Sequence, residues 1–283
     1  MKSTAQVKLA AAYEARRLWG SAHGILALCF LIIYAGWILT RLGANSEFID
    51  SLSSGNWSEG VTFLIGALEW IAKIDRHTID ALLVHHSPFI TIMFVMLAFV
   101  MPAFTMVAGM DQNASSIGSR GIRFLLPRAS RTTLVLGSFL GHCIFWCGLV
   151  LALGVMQTAM AMAWDTHHTA GSILMDGLGS TLALMFMSVP FVALMSLCSV
   201  SGGNPLLSFT IGLGSYLVIA LMSALGKLFN EGMKAVGYLF PSPFRYDLFL
   251  GDGTRLAMAA GAMVLYTVAY LAAALMVIHK RDL

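Results

Sequence analysis

Two histidine pairs, His85-His86 and His167-His168, are the residues whose type and spacing first suggest chemistry. With the acids Glu47, Asp50, Glu59, Glu69, Asp75 and Asp80 in the same region, they could hold a metal ion for hydrolysis. Adjacent histidines diverge on a helix, however, and neither an HExxH sequence nor a spaced carboxylate pair accompanies them. A second constellation, His142-Cys143 with Cys147, offers two thiols on one helical face and no further ligand. It reads as packing. All four cysteines (Cys29, Cys143, Cys147 and Cys198) fall inside apolar runs and are expected as buried thiols, not as a disulfide framework. The 18 methionines are spread in the same way and read as pliable core, not as a copper track. No GxxxxGK[ST] loop occurs, so ATP hydrolysis by that route is not expected here. No basic patch interleaved with aromatics points to nucleic acid. No catalytic, metal-binding or cofactor-binding residue is therefore expected.

The elements that must position any such residues are set by composition. The 283 residues are 58% hydrophobic and 11% charged, with a mean hydropathy of +0.80. A soluble domain carries roughly 25% charge. The expected fold is all-α: one polytopic membrane domain over 1–283, with six transmembrane helices near 22–42, 86–109, 133–164, 173–200, 205–225 and 257–278. Residues 1–20 carry Lys2, Lys8, Arg16 and Arg17 against Glu14, and Leu9, Ala12, Tyr13 and Leu18 give them a partly apolar face. That suits a helix lying in the membrane interface, and no cleavage site marks a signal peptide. Loops 43–85 and 226–256 are expected outside. Within the first, 61–72 is apolar over ~18 Å as a helix, too short to cross a ~30 Å core, and is expected as an external amphipathic helix. Within the second, Tyr238-Leu239-Phe240-Pro241-Ser242-Pro243-Phe244-Arg245-Tyr246 is aromatic and proline-broken, which suits a re-entrant or interfacial element packed on protein.

With both termini in the cytoplasm, the cytoplasmic segments hold ten of the 17 basic residues and three of the 14 acids. That bias obeys the positive-inside rule. Among titratable groups within the spans, away from their ends, His142 and Asp176 stand out. They are the candidate pathway residues. His142 is read chiefly as satisfying an interhelical hydrogen bond, and Asp176 as a solvated group near the outer interface. So few such groups argue against a proton-coupled antiporter.

The cytoplasmic loop 110–132 carries Arg120, Arg123, Arg128 and Arg131 against the single acid Asp111. Its inner part, 115–126, can form a short helix on which Ile117, Phe124 and Leu125 share a stripe, stopped by Pro127. The residues Asp111, Ser119-Arg120-Gly121, Leu125-Leu126-Pro127 and Ser130-Arg131, followed by Leu136-Gly137 and Leu140-Gly141, resemble the loop of type 2 exporter-class permease subunits of ATP-binding cassette transporters. The family's usual glutamate before the arginine and glycine is replaced here by Gly118-Ser119. Tyr13-Glu14-Ala15-Arg16-Arg17 resembles the family's amphipathic N-terminal helix, and Lys280-Arg281-Asp282-Leu283 its ending. The resemblance implies a non-catalytic permease subunit in a bacterial plasma membrane, acting in export. It further implies a second permease copy, surrounding lipid, and a separate ATPase subunit that binds ATP and Mg. Asp111, Ser116, Arg120, Gly121, Arg123 and Arg128 are the implied ATPase-contact residues. A scaffold protein without transport, and a membrane-embedded metal-dependent enzyme, stay open beside it.

Overall fold

The computed structural model describes residues 2–44, 86–119, 129–165, 167–229, 235–249 and 253–281. Eight α-helices appear among them: α1 Lys2–Gly20, α2 Ala22–Gly43, α3 Pro88–Gly109, α4 Ala114–Gly118, α5 Arg131–Trp164, α6 Ala170–Gly202, α7 Pro205–Phe229 and α8 Gly253–Lys280. No strand occurs among the described residues. The helices α2, α3, α5, α6, α7 and α8 are long and apolar enough to cross a membrane, the plan of a multi-pass membrane protein. The expected external helix at 61–72 lies outside the described residues.

The helices overrun their apolar stretches because capping residues set the ends. The Ser21, Ser130 and Thr169 hydroxyls accept from the backbone N–H groups of Gly24, Thr133 and Ser172. Each satisfies an otherwise orphaned donor and starts α2, α5 or α6. Pro88 opens α3, which leaves His86 and Ser87 ahead of the helix instead of inside it. Gly203 ends α6 at φ 64°, a left-handed conformation that favours glycine. The outer loop expected at 226–256 is shorter, since α7 reaches Phe229 and α8 begins at Gly253.

The central helix is α6, which packs on α3, α5, α7 and α8. Its crossing with α5 is built from small residues in reciprocal register. A Cβ on Gly154 would lie 2.0 Å from the Thr181 hydroxyl, and one on Gly177 would lie 2.1 Å from that of Thr158. Close backbone approach of this kind holds membrane helices together where lipid supplies no hydrophobic drive. Gln157 adds a hydrogen bond of 2.8 Å to Ser180 at the same crossing.

Successive spans run in alternate directions, so their ends sort into two groups. At one end Arg17 of α1 meets Asp111 after α3, and Arg131 of α5 meets the end of α8. At the far end Trp164 of α5 touches Gly43 of α2 and stacks edge-on with Phe89 of α3. α7 and α8 are the least enclosed spans, showing Leu217, Val218 and Leu265 on the surface. That surface suits lipid. Cys29 corrects the expectation of buried thiols: it is exposed on α2, an apolar helix whose outer side protein does not cover.

Between α7 and α8, two 3₁₀ turns (Ala235–Leu239 and Ser242–Phe244) lead into a further turn ending at Phe249. Phe240, Tyr246, Leu248 and Phe249 are buried. The Phe240 ring meets Tyr216, near the middle of α7, edge to face at 5.5 Å, and Phe249 lies 4.8 Å from Phe94 of α3. Tyr266 and Tyr270 of α8 donate to the carbonyls of Tyr238 and Leu239. These bonds satisfy backbone that no helix serves.

Candidate functional site

Two polar clusters occupy the two ends of the bundle. The first centres on α1, which lies along the first turns of α5. Contact is close because α5 presents glycines there. A Cβ on Gly137 would come within 2.5 Å of Ala10, and one on Gly141 within 2.6 Å of Glu14 and 2.8 Å of the Ala11 carbonyl. Ala11, Glu14, Ala15 and Leu18 are buried on this side, whereas Leu9 and Tyr13 are exposed on the other. The apolar face expected for α1 is therefore divided: Leu18 faces protein, and Leu9 with Tyr13 face outward.

Arg17 links this helix to the loop. It donates to Glu14 at 2.7 Å and to the main-chain carbonyl of Asp111 at 3.0 Å. Its second terminal nitrogen lies 3.9 Å from the Asp111 carboxylate. Burial pushes the Glu14 carboxyl up to about 7, against the pull of Arg17. Asp111 also accepts from the Ser115 backbone N–H at 3.0 Å and from its hydroxyl. Asn113 carries the connection inward, accepting from Ser138 of α5 at 3.0 Å and reaching Ser199 of α6 at 3.5 Å. The start of the loop is thus tied to α1, α5 and α6 together.

Of the expected ATPase-contact residues, Asp111 and Ser116 are described, and Ser116 is half-buried on α4. The helix expected over 115–126 begins as α4, which is capped at Ser119. Arg120, Gly121, Arg123 and Arg128 lie outside the described residues. His142 is fully buried within this cluster. Its Nδ1 is 2.9 Å from the Ser138 carbonyl, one turn back on the same helix, and the ring also meets the main chain of Ala108 on α3, across the helix contact. The same nitrogen is 3.9 Å from Glu14, beyond hydrogen-bond reach.

The second cluster lies at the far end and corrects the reading of Asp176 as a solvated group. Asp176 is buried, with one oxygen 2.7 Å from His86 Nδ1 and the other accepting from the Ser87 N–H at 2.8 Å. The Ser87 hydroxyl in turn donates to Asp165 at 2.6 Å. Asp165 closes the turn before α6 by accepting from the backbone N–H groups of His167 and His168. Burial alone would raise the Asp165 carboxyl, but the hydrogen bonds from Ser87 and His168 outweigh it and hold the group below its ordinary value. Phe249 stacks at 4.9 Å on His86. Of the histidines that suggested a metal centre, His86 is paired with Asp176 and His168 with Asp165, while Glu47, Asp50, Glu59, Glu69, Asp75 and Asp80 lie outside the described residues. Among the described residues, no group of three or more His, Cys, Asp or Glu side chains is placed to hold a metal ion. His85 lies outside the described residues.

Sequence reasoning missed Glu14, Ser87 and Asp165 as members of these clusters, and it missed the burial of Arg245. Arg245 is 7% exposed, with its guanidinium 5.6 Å from the Phe99 ring centroid and 4.5 Å from that of Tyr246. The available signal was a single arginine inside an aromatic, proline-broken stretch.

No curated protein matches the chain in sequence. A family model does match, over residues 80–283, and its span takes in Asp111, His142, Asp176 and Arg245 but neither α1 nor α2. The match covers well over half of the chain, which belongs to the family described as "Protein of unknown function (DUF2705)".

Proposed function

We propose that the chain is the membrane-spanning permease subunit of an ATP-binding cassette transporter of the type 2 exporter class, seated in a bacterial plasma membrane. In this reading the end that carries α1 faces the cytoplasm, and so do both termini. The segment 235–249 is a re-entrant element entering from outside. The chain forms a substrate pathway with a second permease copy and takes its energy from a separate ATPase subunit that holds ATP and Mg. Export is the expected direction.

The observation that best supports the reading is the path from Asp111 through Arg17 to α1, and from Asn113 to α5 and α6. Force applied to the loop 110–132 by an ATPase would reach three helices through these bonds. The arginines Arg120, Arg123 and Arg128 follow Asp111 in the same loop. Their charge suits acidic or carbonyl partners on an ATPase surface.

The test is affinity purification of the tagged chain in mild detergent, with mass spectrometry of its companions. The expected result is an ATPase subunit in near-equal amount, lost when Arg120, Arg123 and Arg128 are changed to glutamate while the chain still inserts and folds. If the unaltered chain emerges alone, or with partners lacking a nucleotide-binding loop, transport coupling is refuted and a membrane scaffold takes its place.

A further inference from the structure

Arg245 is nine-tenths buried, and it lies deep. Phe99, over which its guanidinium sits, is the twelfth of the 22 residues of α3. At ~1.5 Å per residue that is ~16 Å from Pro88, near the middle of a ~30 Å hydrocarbon core. Aromatic faces stabilise a cation there only in part, since most of its hydration is lost. Among the described residues no carboxylate pairs with Arg245, and its Nε is buried without a hydrogen-bond acceptor. The adjacent Tyr246 hydroxyl is likewise buried, with the Arg245 guanidinium beside its oxygen and no acceptor for its own hydrogen. The guanidinium Nε and the phenol hydrogen, side by side in a low dielectric, both lack an acceptor.

An anion with two or more oxygens, a carboxylate or a phosphate, would complete both. The route to Arg245 restricts what else that ligand carries. Phe99 is 44% exposed, so the flank beside the guanidinium opens over an apolar ring at mid-depth. A ligand arriving there needs an apolar body. We propose that Arg245 and Tyr246 form a binding site for an anionic amphiphile, with its acidic head on the guanidinium and its chain along the Phe99 flank. The site goes beyond the permease reading and requires no ATPase.

The test uses the full chain in phosphatidylcholine nanodiscs, titrated with radiolabelled oleate and, separately, with oleyl alcohol. Oleate is expected to bind saturably and at least about tenfold tighter than the alcohol, because only the acid offers a charge to Arg245. Arg245→Gln should weaken oleate binding by about tenfold or more, and Tyr246→Phe by a few-fold. Phosphatidylglycerol added to the nanodiscs separates two sources of the head group. Competition with oleate means that the site accepts a lipid phosphate, and no competition means that it takes a free carboxylate; either result keeps the site. Equal affinity for acid and alcohol, undiminished binding in Arg245→Gln, or no saturable binding would overturn it. Should Arg245→Gln fail to fold, the contrast between acid and alcohol on the unaltered chain still decides. No ATPase is present in this assay, so its failure and a failed co-purification are separate results.

Discussion

At the end of the bundle that carries α1, arginines reach across to main-chain carbonyls. Arg17 holds Asp111; Arg131 holds Ile278, His279 and Arg281; and Arg281 holds Val200 and Ser201. At the far end carboxylates do the joining, with Asp176 on His86 and Ser87, and Asp165 on Ser87 and His168. Carbonyls at a helix C-terminus lack intrahelical donors and carry the negative end of the dipole, so a guanidinium with five donors finds several near-equivalent acceptors. It can move from one to the next at little cost. A buried carboxylate facing one histidine and one N–H has no such choice. The first end therefore offers its guanidiniums a choice of acceptors that the second end does not offer its carboxylates.

The sharpest way to break that comparison is at Asp176. Asp176→Ala strips the Ser87 N–H and His86 of their buried acceptor and should lower stability by roughly 3–4 kcal/mol, read as thermal unfolding in detergent. A loss below about 1 kcal/mol would mean that the far end is not locked by its carboxylates. The two ends should also answer pH in opposite senses. The Glu14 carboxyl, normally at 4.5, stands at about 7 when α1 is docked. The docked form thus binds the extra proton between these values. Docking is strongest below about 4.5 and loses on the order of 3 kcal/mol as pH rises through 7. Asp165 is held below its ordinary 3.8, so its contribution is present above that value and lost as pH falls through the lower one. Amide protection of α1, corrected for intrinsic exchange, should be greater at pH 5 than at pH 7.5. Glu14→Gln should remove the difference, and its persistence would place the titrating group elsewhere. A steric change at the same contact is expected to be somewhat smaller: Gly141→Leu forces a side chain toward Glu14 and the Ala11 carbonyl, at about 2 kcal/mol. Limited proteolysis should then cut near Gly20 in the variant and spare the unaltered chain.

How much of this was legible in the sequence follows from the range of each interaction. The six spans and their alternating order are carried by local apolar runs of about 20 residues, and the structure shows six helices in those places. His142 and Asp176 stood out because a titratable group within an apolar run is visible without knowing its neighbours. Their partners were not. Asp176 meets His86 across 90 positions of the chain, and no periodicity links the two. Glu14 read as one acid in a basic helix, because its burial depends on Gly137 and Gly141 of another helix. The Gly-x₃-Gly spacing on α5 was the one local hint of close packing there. Arg245 was hidden for a different reason. Irregular backbone that folds back into a bundle leaves no helical or alternating pattern, so only its proline and aromatic content marks it.

The smallest effect tests the other half of the comparison. Arg131 donates from one nitrogen to the carbonyls of Ile278 and Arg281 at 2.8 and 2.9 Å, and to that of His279 at 3.2 Å. Arg131→Ala leaves three carbonyls at a helix end where His279 and Lys280 are exposed, so water can replace the guanidinium. The expected loss is about 1 kcal/mol in thermal unfolding. Arg131→Lys should recover part of it, since an ammonium still interacts with the helix C-terminus but spans fewer acceptors. If Arg131→Ala costs as much as Asp176→Ala, the carbonyls are not interchangeable with solvent. The α1 end would then be as fixed as the far one, and movement in the protein would have to be sought in the lightly enclosed spans α7 and α8 instead.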